Sequence, residues 1–502
     1  MNFQQTVTLF LISILVISLS CRRDDAFKKS GIQLRFSTDT LTFDTVFTQL
    51  GSVTKRFKVI NPHDEPIEIQ SVQIKNEAQL GETQFRMNVD GFSGNIIRNL
   101  EIAANDSAFI FVEVTVDPVN QNNPLVLYDA VEFVTQNNVQ DVVLEAWGQD
   151  AYYYNANPDN TIQGLPAFSR IIEYEEYFPI TTNITLPNDK PHVIFNYLMV
   201  DSAVTLNIPE GTQIHLFKGA GLWVAPGGAI NVNGKKDNEV VFQGIRLEEF
   251  YDDIPGQWDR IWINESNTNS SFNHAIIKNG FIGIQAEVFP FSNSAATVSP
   301  NQLSIRNTQI QNMDGLALLA RNYNVNVENS LFYNSQNQLM AVQGGGDIKV
   351  LHTTLANYWS YGGRSSGSFF ATNGYTDAFG VDQFLDLDIN IDNSIIYGTN
   401  REELEIDSLE GSVFNYSIEN TVIKTELDTT AFYFTNCVFN PEAPFGVGDP
   451  LFINPGNADF ELYTNSAAIS VGSPALTDTL TTDLNGNQRD VSPDAGCYEF
   501  VP

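Results

Sequence analysis

The amino-acid sequence predicts an all-β protein in which a β-sandwich is followed by a right-handed parallel β-helix. Three observations predict it. The 502 residues include 34 Gly and 35 Phe, and helix-favouring stretches are scarce. Apolar and polar residues alternate before about residue 150. After about residue 190, a short motif recurs with a basic period of 22 to 23 residues.

Residues 1–20 are predicted to be a signal peptide. Residues 6–19 form an uncharged apolar run, shorter than the roughly 20 residues that a membrane span needs. Residues 18–21 read Ser-Leu-Ser-Cys and resemble a loose lipobox, although no Lys or Arg precedes them. The resemblance implies that Cys21 is lipidated and anchors the chain in a membrane. A plain secretory signal with an incidental cysteine is the alternative.

Residues 21–30 are expected to form a tether. The charged stretch 22–25, Arg-Arg-Asp-Asp, directly follows the cysteine. It resembles the surface-export signal of outer-membrane lipoproteins of the Bacteroidetes. The resemblance implies anchoring in outer-membrane lipid through acylated Cys21 and a location on the cell surface. The periplasmic face of the outer membrane is the alternative.

The charge and the cysteines limit the partners. A formal net charge of −34 should repel nucleic acid and anionic lipid headgroups. An acidic polysaccharide would need Ca²⁺ as a bridge. Cys437 and Cys497 are sixty residues apart. We expect them to be free, packed thiols, although an envelope location would permit a disulfide.

Residues 31–150 are predicted to form the sandwich. Period-two alternation marks several segments, for example 67–74 and 109–114, and turns such as 61–64 separate them. The stretches 57–69 and 104–112 resemble the ASH-like immunoglobulin modules. The resemblance implies an immunoglobulin-like domain that acts as a spacer or adhesive unit. No catalytic cluster is visible in it.

Residues 191–444 are predicted to form the β-helix, behind a linker and N-terminal cap at 151–190. The repeated element reads Asn-small-x-apolar, with His replacing Asn in two copies. Its first positions include Asn307, Asn329 and His352, which are 22 and 23 residues apart. One coil of a three-sided β-helix takes about this many residues, so equivalent residues should stack. Asn at such a turn can adopt the left-handed conformation.

A second stretch supports the β-helix. Residues 204–212 resemble the first-coil motif of bacterial β-helices, and residues 256–262 resemble the "G-x-W-x-x-I" strand of the same proteins. Leucine-rich repeats have a similar period, but their Leu-x-x-Leu-x-Leu frame is missing.

Residues 445–502 resemble the C-terminal region of the choice-of-anchor Q family of bacterial β-helix proteins. The similarity runs from Asp449-Pro450 to the final Asp-x-Gly-x-Tyr-Glu motif, in which Cys497 replaces a small residue. We expect this segment to cap the open last coil, whose edge would otherwise pair with other chains. Its acidic residues and Arg489 are expected to form salt bridges there.

Two places could carry binding chemistry. Asp386, Asp388, Asn390 and Asp392 alternate along one strand and could contribute oxygen ligands to Ca²⁺. Alternate residues lie roughly 7 Å apart, so one ion would need ligands from adjacent coils. A solvated strand face is the other interpretation.

The insertion after His352 contains Tyr358, Trp359, Tyr361 and Arg364. Aromatic rings beside polar groups suit stacking on a sugar, so these four residues are predicted to bind glycan. A loop that packs its own aromatic residues is the alternative.

The resulting hypothesis is a non-catalytic envelope lipoprotein that presents a β-helix to a polysaccharide or another envelope component. A polysaccharide lyase or glycoside hydrolase on the same scaffold is the alternative, since the fold does not decide catalysis. A structural subunit of an outer-membrane assembly is a third possibility. Lys and Arg are sparse after residue 160, and no catalytic motif is found.

Overall fold

A computed structural model describes residues 27–28, 30–117, 125–156, 166–171, 182–264, 268–288, 296–443, 448–476 and 480–502. The predicted signal peptide and Cys21 lie outside these residues. Within the described part of the chain, no helix is both long and apolar enough to cross a membrane. The chain divides into two compact units, Met1–Asp150 and Ala151–Pro502.

The first unit is a β-sandwich of two sheets. In spatial order, sandwich sheet A consists of Arg35–Phe36, Lys55–Ile60, Ser107–Val114, Phe85–Val89 and Phe92–Ser93. Sandwich sheet B consists of Thr40–Phe47, Asn138–Gln149, Leu125–Thr135, Ile67–Ile74 and Ile96–Ile102. One short helix, Lys75–Leu80, follows the strand Ile67–Ile74.

The sandwich core follows from the alternation in the sequence. In Ser107–Val114, every second side chain is buried, which places Ile110 and Val112 between the sheets. Asn61 is also buried, and its side-chain amide donates to the backbone oxygens of Ile102 and Ala103 at 3.2 and 2.9 Å. The predicted N-terminal β-sandwich is therefore confirmed.

The second unit is a parallel β-helix with three sheets, to which successive coils add one strand each. Sheet I consists of Tyr152–Tyr154, His192–Ile194, Gln213–Leu216, Val240–Gly244, Ala275–Lys278, Gln309–Met313, Leu331–Ser335, Thr354–Asn357, Ile395–Gly398, Val422–Ile423 and Val438–Phe439. Sheet II consists of Phe168–Arg170, Tyr197–Val200, Gly221–Val224, Trp258–Asn264, Gly280–Glu287, Leu316–Arg321, Met340–Gln343, Phe369–Thr372 and Leu404–Asp407. Sheet III consists of Thr182–Thr185, Val204–Pro209, Ala229–Asn233, Ser270–Asn273, Gln302–Arg306, Asn324–Glu328, Gly346–Leu351, Leu387–Asp392, Phe414–Glu419 and Phe434–Thr435.

Two antiparallel hairpins accompany the coils, Gly374–Thr376 with Asp382–Phe384 and Phe452–Asn454 with Asp459–Leu462. Short 3₁₀ turns lie at Glu249–Tyr251, Pro455–Asn457 and Pro474–Leu476. The predicted all-β class and right-handed parallel β-helix are confirmed.

In-register stacking builds the core of the β-helix. Each coil places an apolar side chain on its equivalent in the previous coil, and the column inside sheet I is Ile214, Phe242, Ile277, Ile310, Phe332, Leu355, Ile396, Ile423 and Phe439. Burial of such a side chain stabilises the fold by about 1.5–3 kcal/mol relative to leaving it exposed.

The repeated asparagine adopts the left-handed conformation that its position predicts. The φ angles are 50° at Asn307, 47° at Asn329, 47° at His352 and 47° at Asn393. The amide of Asn329 donates to the side-chain oxygen of Asn307 at 2.8 Å, so neighbouring coils are joined through this ladder. The Asn side chain therefore tolerates the turn and also links the coils.

The small residue that follows each repeated Asn or His forms a second series of hydrogen bonds between neighbouring coils. Ser330 is buried, and its hydroxyl donates to the backbone oxygen of Glu328 at 2.7 Å. The Ser330 hydroxyl oxygen in turn accepts the backbone N–H of Thr308 from the preceding coil at 3.2 Å. These two bonds satisfy groups that the tight turn would otherwise leave unpaired.

The C-terminal segment, residues 448–502, lies along the outer side of sheet I. Its hydrogen bonds reach coils from Asn329 to Asn393, and its apolar cluster includes Val422 and has Val438 of the last described strand packed against it. That it caps the open last coil stays a prediction. The Phe460 ring lies 4.9 Å from that of Tyr333. Sheet I is apolar on its outer face as well, for example at Tyr333 and Ile395, so the segment covers a surface that water would otherwise contact. The expected salt bridge is present between Arg489 and Glu499.

The two described cysteines are free. Cys497 is buried within the C-terminal segment, and its backbone N–H donates to the Thr354 hydroxyl at 3.0 Å. Cys437, which we expected to be packed, is half-buried. Its coil ends with Val438–Phe439, the last described strand of sheet I, so no later described coil covers the thiol.

Candidate functional site

Tryptophan side chains from neighbouring coils stack on the outer face of sheet II. Trp223 and Trp262 are in-register partners, and their ring centroids lie 5.7 Å apart. The indole N–H of Trp223 donates to Oδ1 of Asn264 at 2.7 Å, and that of Trp262 donates to Oε1 of Glu287 at 2.7 Å. The rings therefore orient polar side chains in the next column of the sheet.

A line of hydrogen-bonded side chains continues along this face, and we call it the sheet II strip: Arg260, Gln285, Glu287, Arg321 and Gln343. Arg260 donates to Gln285 at 2.5 Å, and Gln285 donates to Glu287 at 2.6 Å. Arg321 donates to Glu287 at 3.0 Å and to Gln343 at 2.7 Å. Four successive coils contribute residues to the strip. These side chains come together only because the coils stack.

Burial divides the strip into a fixed centre and accessible edges. The Glu287 side chain is 1% exposed, whereas that of Arg321 is 27% exposed. Arg260 is 24% exposed and also pairs with Asp259 at 3.0 Å. A buried carboxylate thus holds Arg321 directly and Arg260 through Gln285. Buried charges that are paired and hydrogen-bonded keep a defined geometry.

Aromatic rings lie against both arginines. The Arg260 guanidinium is 5.9 Å from the ring centroid of Phe281, and the Arg321 guanidinium is 5.2 Å from that of Tyr375. Phe281 is 42% exposed. Fixed donors, an amide and exposed ring surface are the groups that orient a sugar in a binding site. The strip can therefore bind a polar, extended ligand.

Tyr197 closes the N-terminal end of the strip. Its hydroxyl donates to Asp259, which also accepts from Arg260. Burial and the charge of Asp259 raise the pKa of Tyr197 well above its ordinary value. The phenol therefore stays protonated and acts here as a hydrogen-bond donor.

The structure places the four residues predicted to bind glycan in unequal environments. Tyr358 donates to Asp449 of the C-terminal segment at 2.5 Å. Trp359 is 7% exposed. Arg364 is also buried, and it pairs with buried Glu403 at 2.5 Å.

Tyr361 is the exposed member of this predicted group, at 48%, and its hydroxyl donates to the backbone oxygen of Asp253 at 2.7 Å. The loop therefore packs most of its polar and aromatic groups inward, as in the alternative interpretation of the sequence. We do not include it in the candidate site.

The predicted calcium ligands lie on the outer face of sheet III. Asp386 accepts the backbone N–H of Val413 at 2.9 Å, and Asp388 accepts the amide of Asn415 at 2.8 Å. Burial, and then the charge of in-register Glu419, raise the pKa of Asp392 to about 6.

Within the described residues, no group of three or more His, Cys, Asp or Glu side chains could hold a metal ion. The Ca²⁺ prediction therefore gains no support from the geometry of these three aspartates.

Sequence reasoning missed the sheet II strip. Arg260, Glu287 and Arg321 are 27 and 34 residues apart, and these gaps exceed the basic period because insertions interrupt the coils. The one signal was the alternation of polar residues with apolar ones in 284–287, Ile-Gln-Ala-Glu, which indicates an outward-facing polar column.

No protein-family model matches the chain, and no curated protein matches it. Parts of three solved structures are similar to parts of it: the E. coli chaperone DraB, a protein of unknown function from Porphyromonas gingivalis W83, and a family 123 glycoside hydrolase from Clostridium perfringens.

The sequence identities are 11%, 13% and 5%, and the matches cover 24%, 28% and 25% of this chain. They cover 55%, 57% and 31% of those chains, so this chain spans less than two thirds of each. The TM-scores are 0.17, 0.17 and 0.16. Similarities this weak give no information about the activity of this chain.

Proposed function

We propose that this chain is a lipid-anchored protein of the bacterial cell envelope that binds a polysaccharide along the outer face of sheet II. The observation that carries the proposal is the sheet II strip, in which Glu287 and Gln285 hold Arg260 and Arg321 with their outer edges accessible. Hydrogen-bond donors fixed before binding lose little conformational entropy when a ligand arrives.

The ligand is a neutral polysaccharide. The charges of Arg260 and Arg321 are offset by those of Asp259 and Glu287, which contact them. The chain as a whole carries a net charge of −34, so an acidic polymer would be repelled. The sheet II strip extends over four successive coils, which suits a polymer better than a single sugar.

The anchor rests on Cys21 and on the charged residues that follow it in the sequence. In the producing bacterium, Cys21→Ser should move the protein from the membrane fraction to the soluble fraction, and incorporation of labelled fatty acid should be lost. Retention of both properties in the variant would contradict the anchor. Digestion of intact cells with a protease distinguishes the cell surface from the periplasmic face.

The glycan proposal is tested on the mature chain with Cys21→Ser, which removes the lipid. We would measure retention on immobilised neutral and acidic polysaccharides, with and without Ca²⁺, together with release of cleaved products. Retention on a neutral polymer without cleavage supports binding. Cleavage would show an enzyme instead, and no retention on any polymer would overturn the glycan proposal.

Two variants locate the site. Arg260→Gln should weaken retention about fivefold to tenfold, because a charge-assisted donor is removed. The matched control is Arg306→Gln, since Arg306 is 41% exposed and pairs with Glu328 on sheet III. Equal retention by the two variants would show that sheet II is not the binding face.

A further inference from the structure

Two exposed aromatic side chains lie together on the outer face of sandwich sheet B. Tyr128 and Trp147 are 63% and 42% exposed. They belong to adjacent strands, Leu125–Thr135 and Asn138–Gln149. Glu145 is directly opposite Tyr128 in the register and two residues before Trp147, so all three side chains leave the same face.

One carboxylate oxygen fixes both rings. The Tyr128 hydroxyl donates to Oε1 of Glu145 at 3.2 Å, and the Trp147 indole N–H donates to the same oxygen at 3.2 Å. The charge of Glu145 also raises the pKa of Tyr128, so the hydroxyl remains a donor. The polar hydrogens of the two rings are thus used within the protein, and their apolar surfaces remain for a ligand.

Trp147 differs from the other tryptophans of the chain. The sequence contains five, and four of them are at most 8% exposed: Trp223, Trp258, Trp262 and Trp359. Those four contribute to packing within the second unit. Trp147 instead presents a large ring to solvent on the face of a sheet, where burying it in a contact would be favourable.

Polar groups frame the two rings. Thr42 and Thr45, both exposed, lie in register beside Glu145 and Trp147 on the next strand, Thr40–Phe47. Their side-chain hydroxyls can donate and accept hydrogen bonds. Glu145 contributes a carboxylate with accepting capacity beyond the two bonds made by Oε1. Apolar ring surfaces bordered by such groups complement a pyranose ring, which has apolar C–H faces and a hydroxylated edge.

We propose that Tyr128, Glu145 and Trp147 form a second carbohydrate-binding site, which stacks the sugar rings of a neutral glycan on the first unit. The negative charge of Glu145 disfavours uronates and sulfated sugars and fits an uncharged chain. The inference rests on the proposed function for the class of ligand. It goes beyond that function by assigning a binding role to the sandwich, which the sequence predicts to be a spacer or adhesive unit.

Tryptophan fluorescence can report on this site, because Trp147 is the exposed tryptophan. The mature Cys21→Ser chain would be titrated with soluble neutral oligosaccharides, such as gluco-, xylo- and manno-hexaoses. We expect a blue shift of the emission and weaker quenching by acrylamide. Trp147→Phe should abolish both changes, which assigns the signal to this residue.

Tyr128→Ala retains the Trp147 reporter and should weaken binding about fivefold, as expected for loss of one aromatic contact. The matched control is Phe92→Ala, since Phe92 is 66% exposed on sandwich sheet A and should have no effect. Unchanged binding in Tyr128→Ala, or an equal loss in Phe92→Ala, would overturn the site.

Three other results would also test the site formed by Tyr128, Glu145 and Trp147. No change in emission with any neutral oligosaccharide would overturn the inference, even if Arg260→Gln weakens retention on polysaccharide. Equal binding of acidic oligosaccharides would contradict the role of Glu145. A Trp147 signal that persists in Arg260→Gln would establish a site independent of sheet II.

Discussion

The Arg489 guanidinium donates a hydrogen bond to the side-chain oxygen of Asn329 at 2.9 Å, across 160 residues of sequence. Asn329 is a left-handed turn residue of the β-helix, so this bond ties the C-terminal segment to the asparagine ladder. Arg489 also pairs with Glu499 at 3.2 Å, and both side chains are nearly inaccessible. The segment is thus held to the side of the β-helix by a buried charged network.

Arg489→Gln should lower the free energy of unfolding by about 3 kcal/mol, because Glu499 would stay buried without a counter-charge. Denaturant unfolding measures the loss, and limited proteolysis should show cleavage within residues 448–502. The control is Arg306→Gln, whose exposed pair with Glu328 should contribute less than about 1 kcal/mol. Equal losses in the two variants would mean that this network does not hold the segment.

Substitutions at Asn393 can separate the two roles of the repeated asparagine, which are to adopt the left-handed turn and to form side-chain hydrogen bonds. Its φ is 47°, and its side chain exchanges hydrogen bonds with the backbone of Ser473 at 2.8 and 3.0 Å. Asn393→Gly should keep the turn but lose these bonds. Asn393→Ala should lose the bonds and also strain the backbone, for a further cost of about 1 kcal/mol. Thermal and denaturant unfolding of the two variants would measure the difference, and equal stability would contradict the conformational role.

The coil architecture could be predicted from the sequence because the same physical requirement recurs in each coil. Asn307, Asn329 and Asn393 occupy a turn that needs a positive φ, so the repeat is visible in the chain itself. The sheet II strip could not be predicted in this way. Glu287 and Arg321 meet only after the coils stack, and the insertion between them hides their register.

The strands of sheet I that the C-terminal segment covers have a recognisable sequence pattern. The strands 331–333 and 395–397 read Leu-Phe-Tyr and Ile-Ile-Tyr, so consecutive side chains on opposite faces are apolar. Such runs are typical of strands that are covered on both sides. Phe332 and Ile396 fill the interior, which leaves Tyr333 and Ile395 for another element to cover.

The free thiols should be counted by alkylation. Burial raises the pKa of Cys497 to about 12, and burial also raises the pKa of half-buried Cys437. Few thiolates form near neutral pH, so the native protein should react slowly. After unfolding without a reductant, both thiols of the Cys21→Ser chain should be alkylated, as mass spectrometry would show. Absence of alkylation on both residues would reveal a disulfide between them.

His352 makes the β-helix sensitive to acid. The amide nitrogen of Asn393 contacts Nε2 of His352 at 3.0 Å. Because that amide can only donate, Nε2 must be unprotonated. Burial, and then the charge of Arg489, lower the pKa of His352 to about 3. The unfolded chain, with a pKa of about 6.5, therefore binds the proton more tightly between these values, and stability falls as the pH decreases through that range.

His352→Asn should remove this sensitivity, because Asn occupies the same turn in other coils and adopts the same φ, for example 47° at Asn329. Between pH 7 and pH 4, the original chain should lose about 3 kcal/mol more unfolding free energy than the variant. Denaturant unfolding at several pH values measures this difference in slope. A variant that loses stability with acid as steeply as the original chain would show that another group titrates.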